Sequence, residues 1–146
     1  MFRYFWPFCF ALILVGNIYC QEKVIVSISH AGDDYVGNRL RFRIKEILLR
    51  SPAYEYNDKS DIVISLISMD SNCSGEGNSS FVTVTFSKLT TVQESYMGEI
   101  QPLKIAELLI GTPSLYLVGS NRIQDIAETI VSQFDEAFER FSQDKF

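Results

Sequence analysis

Cysteine is scarce in this chain: Cys9, Cys20 and Cys73 are the three present. The first two lie in or at the end of an apolar leader, so Cys73 is alone in the remainder of the chain and no intramolecular disulfide is available there. That excludes a small domain stapled by disulfides. No Cys-x-x-Cys and no Cys/His metal spacing occurs, and His30 is the one histidine. The residues therefore call for no metal and no cofactor. Positive charge is also short. Thirteen Lys and Arg against 18 Asp and Glu leave −5, and without Arg3 of the leader 12 face 18, or −6. Sequence-independent nucleic-acid binding needs a surplus of Lys and Arg, so nucleic acid is not an expected partner. There is no Gly-x-Ser-x-Gly elbow, no internal repeat and no low-complexity segment. Gly75-Glu-Gly77 lacks the strand-to-helix setting and the Gly-Lys-Ser/Thr of a phosphate loop.

The apolar run from Tyr4 to Gly16 is about thirteen residues long, short of the ~20 that cross a bilayer. Arg3 before it and the more polar Asn17 after it give residues 1–20 the plan of a signal peptide cleaved after Cys20. An uncleaved anchor or a lipid on Cys20 is the alternative. Export to the periplasm or the secreted space is the expectation, with residues 21–146 forming a single domain.

What is present in quantity is β-branched and aliphatic residue. The stretch Asp61-Ile-Val-Ile-Ser-Leu-Ile-Ser-Met69 is apolar on both alternating faces, with Ile62, Ile64 and Leu66 on one and Val63, Ile67 and Met69 on the other. Such a strand belongs inside a sheet that is covered on both sides. Lys23–Ser29 reads as an earlier strand, followed by a turn in which Asp33 or Asp34 caps a helix. Val36, Leu40, Ile44, Ile47 and Leu48 make one face of that helix, which stops at Ser51-Pro52. Tyr54–Tyr56 suits a brief extended piece.

After a polar loop, Phe81-Val-Thr-Val-Thr-Phe86 alternates, with Phe81, Thr83 and Thr85 pointing away from Val82, Val84 and Phe86. This pairs as an antiparallel hairpin with the preceding strand. Pro102–Ile110, opened by proline and closed by Gly111, predicts a short helix. Ser114–Val118 predicts another strand. The strongest helix comes next, with Asn121 and Gln124 at capping-box spacing and a stripe of Ile123, Ile126, Ala127, Ile130, Phe134, Ala137, Phe138 and Phe141.

Few residues invite chemistry. His30 with Asp33 and Asp34 at a helix start is the centre a small hydrolase or ligand-binding enzyme would use, and a surface turn with a capping aspartate accounts for the same residues. Arg39, Arg41 and Arg43, with Lys45 and Arg50, form a basic patch on an acidic chain. It suits an acidic partner, an anionic lipid surface or an anionic glycan, and equally the solvated outside of a sheet-packing helix. Phe81 and Thr83, on the outward side of a strand, are the other candidate contact residues. Asn72-Cys-Ser74 and Asn78-Ser-Ser80 match the glycosylation sequon. Asp135 and Glu136 are adjacent carboxylates on the last helix. No catalytic constellation emerges from these.

The helix ending Leu48-Leu-Arg-Ser-Pro-Ala-Tyr54, then Asp61-Ile-Val-Ile-Ser-Leu66, then a loop and Phe81-Val-Thr-Val-Thr-Phe86, resembles the N-terminal domain of the periplasmic translocation protein of the Tol system. The pattern is also similar to the small envelope domains of penicillin-binding-protein activators and curli-assembly lipoproteins. It covers residues 34–89, without the propeller that succeeds this domain in the Tol protein or a lipidation box. The resemblance implies a non-enzymatic role in protein contact at the cell envelope. The expectation is thus an α+β domain in the order β-α-β-β-(α)-β-α, with a mainly antiparallel sheet of about four strands and two main helices on one face. Its function would be that of an exported accessory module with an envelope or secreted protein as partner, weak contact with a membrane surface, or self-association through the open sheet face or Cys73.

Overall fold

Residues 22–72, 77–96, 99–109 and 112–143 are described by the computed structural model. The expected signal peptide and its expected cleavage after Cys20, and Cys73 with Gly75, lie outside the described residues. Strand β1, Val24–Ala31, leads through a turn into helix α1, Tyr35–Arg50. Asp34 is the cap that starts this helix, its carboxylate accepting from the Gly37 N–H at 2.7 Å. Ser51 ends it, its N–H donating to the carbonyls of Ile47 and Leu48. A short strand β2, Tyr54–Tyr56, is followed by β3, Ile62–Asp70, and β4, Ser79–Tyr96. Then come β5, Glu99–Leu108, β6, Ser114–Gly119, and helix α2, Ile123–Gln143.

The sheet runs β2-β1-β3-β4-β5, with β6 also on β4. It is mixed: β1 is parallel to β2 and β3, while β4 is antiparallel to β3, β5 and β6. Six strands thus replace the expected mainly antiparallel sheet of about four, and two of the five pairs are parallel. A parallel neighbour needs a crossover, and α1 supplies it between β1 and β2. Periodicity reports which residues are inside and is silent on strand direction.

Where a helix is predicted over Pro102–Ile110, residues 102–108 are instead part of strand β5, and Ile110 with Gly111 lies outside the described residues. Leu103 and Ile105 fit one side of a strand as readily as a helix turn, and the unpaired backbone of a long β4 decides between them. Gln93 is the ladder partner of Pro102, and β5 is an edge strand, where proline's missing N–H is tolerated. Strand β4 itself is three times the length of the predicted Phe81–Phe86 segment, at 18 residues. Residues 79–84 of it pair with β6 and residues 87–96 with β5, so β6 and β5 lie end to end along one edge.

Both helices cover one face of the sheet, as the sequence predicts. Val36, Leu40, Ile44 and Leu48 of α1 and Ile126, Ile130, Val131 and Phe134 of α2 share a core with Val26, Ile28, Ile64, Leu66, Val82, Val84 and Phe86. Phe134 is its centre, ring to ring with Phe86 at 5.5 Å, Tyr54 at 5.6 Å and Phe138 at 6.1 Å. Phe138 and Phe141 are only partly buried, so the stripe loosens at its C-terminal end. The helix begins at Ile123, and Gln124 bonds Arg43 and Glu128 instead of closing a capping box with Asn121. Among the described residues no helix is long and apolar enough to cross a membrane.

Replacing Phe134 by alanine removes the ring that three others pack on, and about 3–5 kcal/mol of stability should go with it. Urea unfolding checks this, with the exposed Ser132→Ala on the same helix expected within about 0.5 kcal/mol of the parent.

Candidate functional site

Among the described residues no helix covers the second face of the sheet. Part of it is closed by the chain's own crossing from β2 to β3. Over residues 57–61, the Asn57 N–H donates to the Val26 carbonyl at 3.0 Å and the Ser60 hydroxyl to that of Ile25 at 2.6 Å. The Ser27 hydroxyl reaches the carbonyls of Ser60 and Ile62 at 3.3 Å. Ser27, Val63 and Ser87, which alternation places on this face, are buried.

The other half of the face is open. Met69 lies opposite Phe81 and Phe81 opposite Leu117, while Ile67 lies opposite Thr83 and Thr83 opposite Leu115. Ala31 extends the second row onto β1, opposite Ile67. Cross-strand partners share a face, so Ile67, Met69, Phe81, Leu115 and Leu117 form one apolar field, each between 42 and 71 % exposed. The β4–β5 ribbon continues beyond the sheet past Lys88, where β3 has ended. Its root is fixed by the Leu89 N–H on the Asp61 carbonyl at 2.7 Å and by Lys104 near Asp61 at 3.8 Å. Ile100, Leu103, Ile105 and Leu108 of the ribbon are exposed as well.

The five candidate contact residues fall on two separate surfaces. Phe81 and Thr83 sit within the open field. Arg39, Arg41 and Arg43 are on α1, in the helix layer behind the sheet. Arg39 donates to the Tyr35 hydroxyl at 3.0 Å, and Arg43 is held by Glu46 and Gln124. An open groove of about 590 Å³ runs between α1 and the start of α2, lined by Arg39, Phe42, Arg43, Ser120 and Gln124 among others. Leu115 and Leu117 were not singled out by sequence. Their alternation with Tyr116 and Val118 carries the signal, but whether the outward set is covered depends on chain far from it. Asp135, one of the adjacent carboxylates, accepts from the Tyr54 hydroxyl, and Glu136 pairs with Arg140.

His30 and Asp34 do come together, through a residue the sequence left unmarked. His30 Nε2 is 2.7 Å from the Ser68 hydroxyl, which donates to Asp34. Ser80 donates to the other carboxylate oxygen, which also takes the Gly37 N–H. With its proton committed to Asp34, Ser68 accepts from His30 and is not set up to be deprotonated by it. Asp33 is exposed and outside this group. Burial works to raise the Asp34 pKa, and the hydrogen bonds from Ser68, Ser80 and Gly37 outweigh it, holding the carboxyl below its ordinary value. Burial lowers the His30 pKa, against the opposing charge of Asp34 and with help from Arg41. Two glycines make room: a Cβ on Gly37 would lie 2.0 Å from the Ser68 hydroxyl oxygen, and one on Gly32, at φ +135°, 2.3 Å from the Ser68 carbonyl oxygen.

No protein-family model matches the chain, and no curated protein matches it in sequence. Among solved structures it is similar to rare lipoprotein B from Shewanella oneidensis, at 13 % identity over 84 % of this chain and 96 % of that one, with a TM-score of 0.23. A superposition that shallow bears on neither fold nor function.

Both shifts act in one direction on acidification. A histidine whose folded pKa is depressed below 6.5 removes stability as pH falls from there toward the folded value, because the unfolded chain takes up the proton first. A carboxylate with a depressed pKa supports the fold above the ordinary carboxyl range and is lost as pH falls through its folded value. Thermal melts should fall first below pH 6.5, and His30→Gln should flatten that step alone. Asp34→Ala strands Ser68, Ser80 and the Gly37 N–H, and should cost about 2–4 kcal/mol at pH 7.

Proposed function

We propose that this protein is an exported, non-enzymatic accessory module of the cell envelope or secreted space that works by binding another protein through the open half of its sheet. The observation that carries the reading is the apolar field of Ile67, Met69, Phe81, Leu115 and Leu117, left exposed beside a core that the two helices close on the other face. A contiguous exposed apolar surface of this kind marks a contact site. Two further features support it. Leu115 and Leu117 lie on β6, which among the described residues pairs with β4 alone and so forms an edge. The polar residues that an enzyme reading would recruit are bound to one another: Ser68 and Asp34 are buried, and Asp34 takes bonds from three partners. Export rests on the leader pattern of residues 1–20.

The test is affinity capture from envelope extract with the native chain and with a Leu115→Asp/Leu117→Asp double variant. Both side chains are exposed, so melting temperatures should agree closely. A partner held by the native chain and released by the double variant, but retained by a Ser132→Asp variant on the far side of α2, is the expected result. Identical capture by all three chains, or capture of nothing, removes the open face from consideration.

A further inference from the structure

Helix α1 has a second apolar stripe, on the side away from the core. Its buried residues are Val36, Gly37, Leu40, Ile44 and Leu48, yet Tyr35, Phe42 and Leu49 are between 54 and 64 % exposed. A helix packed on a sheet needs one apolar face; its outward side is ordinarily polar. Arg39 and Glu46 fall between these three, so Tyr35, Arg39, Phe42, Glu46 and Leu49 succeed one another at spacings of four, three, four and three residues. That is the seam spacing of one helix packing along another. Beside it lies the groove between α1 and α2, lined by Tyr35, Arg39, Phe42 and Glu46 from this seam.

The charge order along the seam says what the second helix is. Read from either end it runs apolar, charged, apolar, charged, apolar, with the two charges of opposite sign. Laid antiparallel on a copy of itself about a two-fold axis near Phe42, it brings Arg39 opposite Glu46 of the second copy and Glu46 opposite Arg39. Tyr35 then meets Leu49, and Phe42 meets its own counterpart. Laid parallel, it would set Arg39 against Arg39 and Glu46 against Glu46, which is unfavourable. A two-fold interface has to be self-complementary, and this seam is so in one direction only.

We propose that the chain forms a two-fold symmetric dimer through antiparallel pairing of α1 with α1 of a second copy. The side chains are disposed for it. Arg39 is already steadied by the Tyr35 hydroxyl at 3.0 Å, its guanidinium 5.4 Å from the Tyr35 ring centre. Glu46 already pairs with Arg43 and Arg50 on its own helix, and Arg39 of the second copy would join them at its carboxylate. Four turns of one helix make a small interface, at the size where association is weak and depends on concentration. The dimer leaves the open sheet face, on the other side of the molecule, free for a different partner, and it stands or falls independently of that face.

Sedimentation equilibrium over a wide protein concentration is the first measurement, with helix content of every variant checked by circular dichroism. A reversible dimer is expected, weakened at least ~10-fold by Phe42→Glu. Arg39→Glu should weaken it about fivefold, and the pair Arg39→Glu/Glu46→Arg should recover most of that loss. A photoreactive benzoylphenylalanine at position 49 should form adducts with the peptide around Tyr35 of the second copy, since the two copies of position 49 would be about 20 Å apart along the helix axes. A monomer at every concentration overturns the proposal. So does a dimer indifferent to Phe42→Glu, and so do adducts from position 49 to position 49, which would mean parallel helices.

Discussion

One carboxylate holds the two layers of this protein in register. Asp34 caps α1 through the Gly37 N–H and takes hydrogen bonds from Ser68 on β3 and Ser80 on β4, while His30 at the end of β1 reaches Ser68. Three central strands and the helix N-terminus thus converge on a single buried acid. Its burial is unfavourable for charge, and the donors around it reverse the balance. The packing is close enough that Gly32 and Gly37 cannot carry a side chain beside Ser68. This contact ties the start of α1 to β3 and β4, and Val36, Leu40, Ile44 and Leu48 seat the rest of the helix in the core.

The second governing fact is the imbalance between the sheet's faces. Its even-numbered positions on β3 and β4 meet two helices and form the core, while odd-numbered ones are covered at Val63 and Ser87 and open at Ile67, Met69 and Phe81. On the covered half, residues 57–61 cross from β2 to β3 and bind the backbone of β1. Strand β4 is the spine of the arrangement, shared by β3 on one side and by β6 and β5 in succession on the other. Beyond Lys88, β4 and β5 extend past the end of β3 as a ribbon, a form that has little stability of its own in water. A molecule with an open sheet face, an extended ribbon and a greasy outer helix stripe offers surfaces for contact on more than one side.

Much of the local structure is legible from residues alone. The two helices, the strand at Ile62–Asp70, its hairpin with the strand after it and the alternation of Phe81 with Val82 all come from periodicity and turn chemistry. So does the role of Asp34 as a cap. Pro102–Ile110 was misleading because aliphatic residues two and three apart serve either period, and the choice between them belonged to β4. Of the exposed apolar field, the sequence marks Phe81, with Thr83 beside it, as outward-facing, whereas Ile67 and Met69 were expected to be covered. Leu115 and Leu117 were not marked, because outward-facing leucines on a predicted strand look the same whether or not some distant segment covers them. Arg39, Arg41 and Arg43 were visible as charge, but reading one apolar stripe on α1 concealed the second one that Arg39 belongs to.

What the sequence by itself determined is what depends on neighbours along the chain: which segments coil, which extend, which side chain of each is apolar, and that an intramolecular disulfide has no pair of cysteines to use beyond the leader. Tertiary structure alone decided strand direction, the joining of His30 to Asp34 through Ser68, and which apolar residues remain in water. These last are relations between segments up to 46 residues apart. Exposure is set by what the rest of the chain fails to reach, and no local pattern encodes that.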